Sequence, residues 1–184
     1  MNIALIIILV ILGLLILIAI FMYNGLIRLR NQVENSWAQI DVQLKRIFDL
    51  IPNLIETVKG YAKHEKELLE NVTKARTEFL KAGSVKDKAD ATNHLSSTLK
   101  SLFAVSENYP QLKANENFLQ LQEELSGTES KIAYARQLYN DTVMEFNTKI
   151  QTFPTNLFAN MLGFTQKQLF ETTAEERKNV QVKF

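Results

Sequence analysis

The sequence predicts an all-α protein: one N-terminal transmembrane helix, then an antiparallel helical bundle of three long helices and a short C-terminal helix. Two observations carry this. Residues 2–27 hold no charged side chain, and all 21 basic and 20 acidic residues lie from Arg28 onward. Apolar residues then recur at spacings that alternate between three and four, and no strand-rich stretch competes with them. The reading divides the chain into an anchor over residues 1–25, a bundle over 26–152, and an amphipathic segment and tail over 153–184.

From Ile3 to Tyr23 the side chains are apolar, interrupted only by Gly13. A helix of about 20 such residues spans the hydrocarbon core at about 1.5 Å per residue. In lipid the backbone must satisfy its own hydrogen bonds, which selects a helix. A cleaved signal peptide fits worse: the charged n-region is missing, the apolar run is too long, and no A-x-A site follows. Arg28 and Arg30 follow the span and no Lys or Arg precedes it, so the positive-inside rule puts the bundle in the cytoplasm. The opposite orientation stays open as the alternative.

The first bundle stripe reads Val33, Trp37, Ile40, Leu44, Ile47, Ile51, Leu54, Val58, Tyr61, Glu65, Leu68, Val72, Ala75, Phe79, and only Glu65 breaks it. This heptad spacing keeps one seam turned toward partner helices. Phe48, Ile55 and Leu69 widen it toward a multi-helix bundle. Pro52 predicts a kink or break near Leu50–Asn53. Four i,i+4 pairs, Lys63–Glu67, Lys66–Glu70, Glu70–Lys74 and Lys74–Glu78, mark a solvated face. Gly83 is expected to end this helix in the left-handed cap conformation, and Lys81–Asp90 to form a polar turn. Unbroken, residues 24–81 would extend roughly 85 Å at 1.5 Å per residue. That exceeds the needs of a three-helix domain, so Tyr23–Gln39, which includes Trp37, reads as a stalk available to other copies.

The second helix carries Thr92, Leu95, Leu99, Leu102, Ser106 and Tyr109 on one stripe, with Pro110 stopping it. The third begins near Asn115 or Asn117, both good N-caps, and shows Phe118, Leu121, Leu125, Ile132, Ala135, Tyr139, Phe146 and Ile150 until Pro154 closes it. Short connections make neighbouring helices antiparallel. Val180, Val182 and Phe184 alternate with polar residues, as a docked extended segment or a frayed tail would.

Several of these segments together resemble the LemA family. They include Trp37-Ala38-Gln39-Ile40-Asp41-Val42-Gln43-Leu44-Lys45-Arg46, Asp49-Leu50-Ile51-Pro52-Asn53-Leu54 and Leu112-Lys113-Ala114-Asn115-Glu116-Asn117-Phe118. Tyr139-Asn140, Phe146-Asn147 and Phe153-Pro154 continue the likeness, which covers nearly the whole chain. The resemblance implies a short N-terminus, one span, a helical bundle and no established enzymatic activity. It also implies an association with membrane organisation, in one branch with magnetosome formation and in some members with membrane proteases of the HtpX type. No residue-level chemical role is carried over from it.

Little in the chain suggests catalysis. His64-Glu65-Lys66-Glu67-Leu68 begins like the zinc motif H-E-x-x-H, but Leu68 stands where the second imidazole is needed. His64 is therefore expected at a bundle edge. Adjacent carboxylates such as Glu123-Glu124 diverge on a helix and make no acid–base pair. With no cysteine, thiol chemistry and disulfides are excluded, and the near balance of charge argues against nucleic acid. No metal, cofactor or catalytic residue is expected.

The candidate interaction residues are Trp37, Asn140, Asn147, Phe158, Met161 and Phe164. Asn140 and Asn147 lie seven residues apart on one helical face, where a buried Asn fixes register; exposure along the edge of the stripe is the alternative. Phe158, Met161 and Phe164 belong to the apolar Phe153–Phe170 segment. It is expected either to meet membrane or another subunit, or to fold back onto the bundle. The function this predicts is a non-enzymatic scaffold or assembly protein, self-associating at the cell membrane, with lipid and further copies of the chain as partners. The alternative is an accessory subunit of a membrane protease or another membrane complex.

Overall fold

In the computed structural model, which describes residues 3–171, six helices follow one another. They are α1 (Ile3–Tyr61), α2 (Lys66–Lys81), α3 (Val85–Ser106), α4 (Pro110–Lys113), α5 (Glu116–Gln151) and α6 (Thr155–Met161). The expected all-helical architecture, with a long apolar N-terminal helix and helices packed in a bundle after it, is found. Among the described residues, α1 is the one helix long and apolar enough to cross a membrane. Val180, Val182 and Phe184 lie outside the described residues.

The chain forms two compact units. Among the described residues, one contains 3–37 together with 138–167; the other contains 38–137 together with 168–171. The second unit is a four-helix bundle made of residues 38–61 of α1, then α2, α3, and residues 116–137 of α5. Its seam follows the predicted spacing: Ile40, Leu44, Ile47, Ile51, Leu54 and Val58 are all buried. Phe48 meets Phe79 across α1 and α2 with ring centroids 4.6 Å apart, and Phe103 meets Phe118 across α3 and α5 at 6.2 Å. Arg46 lies 3.8 Å from Glu124, and Asn115 donates to the Tyr61 hydroxyl at 3.0 Å, so α1 and α5 run antiparallel. Buried hydroxyls sit in this seam without breaking it. Thr92, Thr98 and Thr128 each donate to the carbonyl four residues back, which satisfies the group inside its own helix.

The helix boundaries correct several expectations. Pro52 does not break α1, which continues to Tyr61. Its ring faces solvent, where the lost backbone donor costs least, while Ile51 and Leu54 beside it are buried and hold the helix in place. The break falls at Ala62–Glu65 instead, so residues 24–81 are two helices. Glu65, the residue that interrupts the stripe, is the N-cap position of α2, and its Oε1 accepts from the Tyr109 hydroxyl at 2.9 Å.

Gly83 is not a left-handed cap, since Gly163 is the glycine with positive φ among the described residues. α2 stops because Ala82 turns extended, and the turn is shorter than expected. Ser84 and Asp87 form a reciprocal capping box that starts α3 at once. Of the four predicted ion pairs, Lys66–Glu70 and Lys74–Glu78 form, at 3.7 and 4.0 Å on exposed side chains. Lys63 lies in the turn and cannot join Glu67 along one helix face.

Pro110 does not end α3. That helix stops at Ser106, and Pro110 opens α4 from a first-turn position where it has no backbone donor to lose. Asn115 caps α5 as expected, its Oδ1 accepting from the Phe118 amide at 3.0 Å. α5 ends at Gln151, before Pro154, which is the N-cap residue of α6.

The first unit pairs the N-terminal part of α1 with the end of α5 and with α6. Leu26, Leu29 and Val33 are buried, and the Ser36 hydroxyl returns to the Val33 carbonyl at 2.9 Å. Trp37 meets Tyr139 edge to face at 5.2 Å, and Tyr23 meets Phe164 at 6.1 Å. The stretch Tyr23–Gln39 is therefore not a bare stalk. Its stripe continues the bundle spacing back through Leu29 and Leu26, and α5 is long enough to cover it.

Candidate functional site

The end of the first unit nearest the apolar span gathers most of the candidate residues. From Ile3 to Ile18 every residue of α1 is exposed, and Ala19 and Met22 are the first to be partly covered. α6 ends in a tight reversal. The Gly163 amide bonds the Asn160 carbonyl and the Phe164 amide bonds the Ala159 carbonyl, at 3.3 and 3.0 Å. This is the Schellman pattern, and it needs the left-handed φ of +73° that Gly163 supplies. The reversal brings Phe164, 8% exposed, against Tyr23 and against Phe146, whose ring lies 6.3 Å away.

Asn147 then holds the returning chain. Its Oδ1 accepts from the Lys167 amide and its Nδ2 donates to the Lys167 carbonyl, both at 2.8 Å. The side chain acts as a strand-like partner for the backbone of one residue, so both main-chain polar groups of Lys167 are satisfied on a helix flank. Asn147 is half-buried, and these bonds tie it to its own chain. Asn140 is half-buried on the same helix.

The Phe153–Phe170 segment is buried in part. Thr155, Ala159, Phe164 and Phe170 are buried, so one face folds back. Phe158 is half-buried. Phe153 and Met161, 75% and 84% exposed, remain outside with Leu157 and Leu162. Trp37 lies farther along α1, half-buried on Tyr139. Burial raises the Tyr139 phenol above its ordinary pKa, since the charged form would lose solvation. The stripe read for α5 left out Thr128 and Val143, although the three-and-four spacing from Leu125 and Tyr139 points to both, and both are buried in the seam. Gly163 followed by an aromatic, at the end of an apolar run, was a legible stop signal.

The second unit presents polar surface without a gathered centre. His94 and Glu78 share a hydrogen bond of 2.8 Å on exposed side chains. His64 sits exposed in the turn before α2, off any helix. The Tyr109 phenol donates to the Glu65 carboxylate, and that bond raises its pKa. Between α1 and α5 runs an open groove of about 530 Å³ lined by Gln39, Val42, Gly127, Lys131 and Tyr134. Val42 and Tyr134 stand exposed along it.

An apolar N-terminal helix that continues into helices packed as a bundle defines the class: a membrane-associated helical-bundle protein with one candidate span among the described residues. The family model for the LemA family matches residues 36–184, and the chain belongs to that family. It is similar to Protein LemA of Metamycoplasma hominis, 29% identical over 158 residues that make up 85% of this chain and 72% of that protein. It is also similar to Magnetosome protein MamQ 2 of Paramagnetospirillum magneticum, 22% identical over 81% of this chain. Magnetosome protein MamQ of Magnetospirillum gryphiswaldense is 20% identical over 80% of it. The chain spans 64% of the length of each of these magnetosome proteins.

Proposed function

We propose that this protein is a non-enzymatic scaffold, anchored in the cell membrane by α1 and self-associating there through its bundle. The observation that carries the reading is the continuity of α1. One helix from Ile3 to Tyr61 supplies both the apolar span and the buried seam, with no loop between them. The Val42–Tyr134 groove offers a second copy two exposed apolar side chains among polar ones, and the likeness to proteins named for the magnetosome supports membership in an assembly. Light scattering in mild detergent is expected to show oligomers that Val42→Glu with Tyr134→Glu dissociates. A monomer at every concentration would overturn self-association.

Arg28 and Arg30, just past the span, favour a cytoplasmic bundle. Because the chain has no cysteine, a single thiol reports topology. Lys86→Cys suits this better than Ser84, whose hydroxyl caps α3. A thiol that reacts with an impermeant maleimide only after the inner membrane is opened supports the cytoplasmic orientation. Reaction in intact cells, with any outer membrane permeabilised, would reverse it. In the accessory-subunit alternative, which family association favours, a membrane protease or other complex co-purifies in fixed ratio from native membranes; recovery of the chain with its own copies alone would discard it.

A further inference from the structure

The helix α6 turns large apolar side chains outward on the side opposite its packed one. Thr155 and Ala159 are buried on one side, while Leu157 and Met161, about 180° away at 100° per residue, are exposed. Phe153 and Leu162 extend the exposed side, and no charged residue occurs from Ile150 to Gln166. A helix at a water-facing surface carries its polar residues opposite the packed face; here Asn156 and Asn160 fall between the two sides, and Leu157 and Met161 stand opposite. Other exposed large apolar residues outside the span, such as Val42, Leu80 and Leu119, are scattered along the chain; here four fall within ten residues.

The position of α6 says what covers this face. The 20 steps from Ile3 to Tyr23 rise about 30 Å, the thickness of a hydrocarbon core, so Tyr23 stands at its boundary, where aromatic side chains collect. Phe164, three residues past the end of α6, packs on the Tyr23 ring, and the Asn147 clasp on Lys167 holds the returning strand there. Lys149, Lys167 and Arg28 bracket the uncharged segment and the span in sequence, as cations at headgroup level do.

We infer that α6 is a second membrane contact: a short interfacial helix that lays Phe153, Leu157, Met161 and Leu162 into the lipid surface beside the exit of the span. α6 thereby fixes how deeply α1 sits, because its outer face and the span are wetted by the same bilayer. The inference rests on α1 crossing the membrane and is independent of self-association.

The test uses the full chain in phosphatidylcholine nanodiscs at one chain per disc. Single-cysteine variants Met161→Cys, Ile11→Cys and Lys100→Cys each carry an environment-sensitive fluorophore, with nitroxide placed shallow or deep on the acyl chains. The Met161 label is expected to emit to the blue of the Lys100 label and to be quenched more by shallow than by deep nitroxide. The Ile11 label should be quenched more by deep nitroxide. A water-like, unquenched Met161 label beside a quenched Ile11 label would overturn the interfacial helix and leave the anchor intact. An apolar Met161 signal that appears only in discs holding several chains would overturn it in favour of a second copy. An unquenched Ile11 label would overturn the anchor and the inference with it.

Discussion

The two units are held by different means. In the bundle of residues 38–137, side chains recur at three and four, and burial is supplied by long, regular stripes on four helices. In the unit that contains the span, two helices and a short one close the core with individual devices: the Trp37–Tyr139 and Tyr23–Phe164 ring contacts, the Gly163 reversal and the Asn147 clasp. Redundant packing tolerates the loss of one polar contact. A core made of single devices does not, and the difference can be tested.

The largest effect is expected at the bundle seam. Leu54→Ala, at a fully buried position, should destabilise by about 2–5 kcal/mol in denaturant titrations followed by circular dichroism. Trp37, the sole tryptophan, reports the other unit by fluorescence. Because α1 and α5 each contribute to both units, its transition is expected to move with the helical signal; two separated transitions would show that the units unfold independently.

Next is Pro52. The helix carries it on an exposed face, at a cost of up to about 3 kcal/mol relative to alanine. Pro52→Ala is expected to raise the melting temperature, and a fall would show that the ring has a packing role.

Asn147→Ala should cost about 1–3 kcal/mol, since it leaves both polar groups of Lys167 without their partner. Hydrogen exchange should quicken over residues 155–171 and stay slow in α2 and α3. Asn147→Asp should do no better, because a carboxylate cannot donate to the Lys167 carbonyl. Its rescue of protection would break the clasp interpretation.

The smallest effect depends on pH. Burial holds the Tyr139 pKa above the ordinary 10.0, so in the unfolded chain the phenol loses its proton first. The stabilisation is complete below pH 10.0 and is lost as pH rises through the folded-state value. Tyr139→Phe should flatten that alkaline decline as read by Trp37 emission, and an unchanged slope would assign the decline to other groups.

Much of the bundle can be read without coordinates, because burial on one helix face imposes a period that survives in the chain. The stripe from Val33 to Val58, the Asn115 cap and the apolar span all follow from local rules. Pro52 and Gly83 mislead for the same reason. Each has a local tendency, to break or to cap, that neighbouring packing at Ile51 and Leu54, or an extended Ala82, overrides. The break at Ala62–Glu65 was visible only as one polar residue in an apolar stripe.

The candidate surface divides along the same line. That Phe153–Phe170 is too apolar for a loop is a matter of composition, and residue identity alone is enough to establish it. Which of its side chains turn inward depends on Gly163 reversing the chain and on Asn147 lying within reach of Lys167, 20 residues later. A bidentate side-chain-to-backbone clasp has no period and no composition, since it exists only once two distant segments are brought to hydrogen-bonding distance. Hydrophobic pattern was therefore enough to specify an anchor and a bundle, whereas the exposed face of α6 and its place beside Tyr23 were decided by long-range contacts that no local signal encodes.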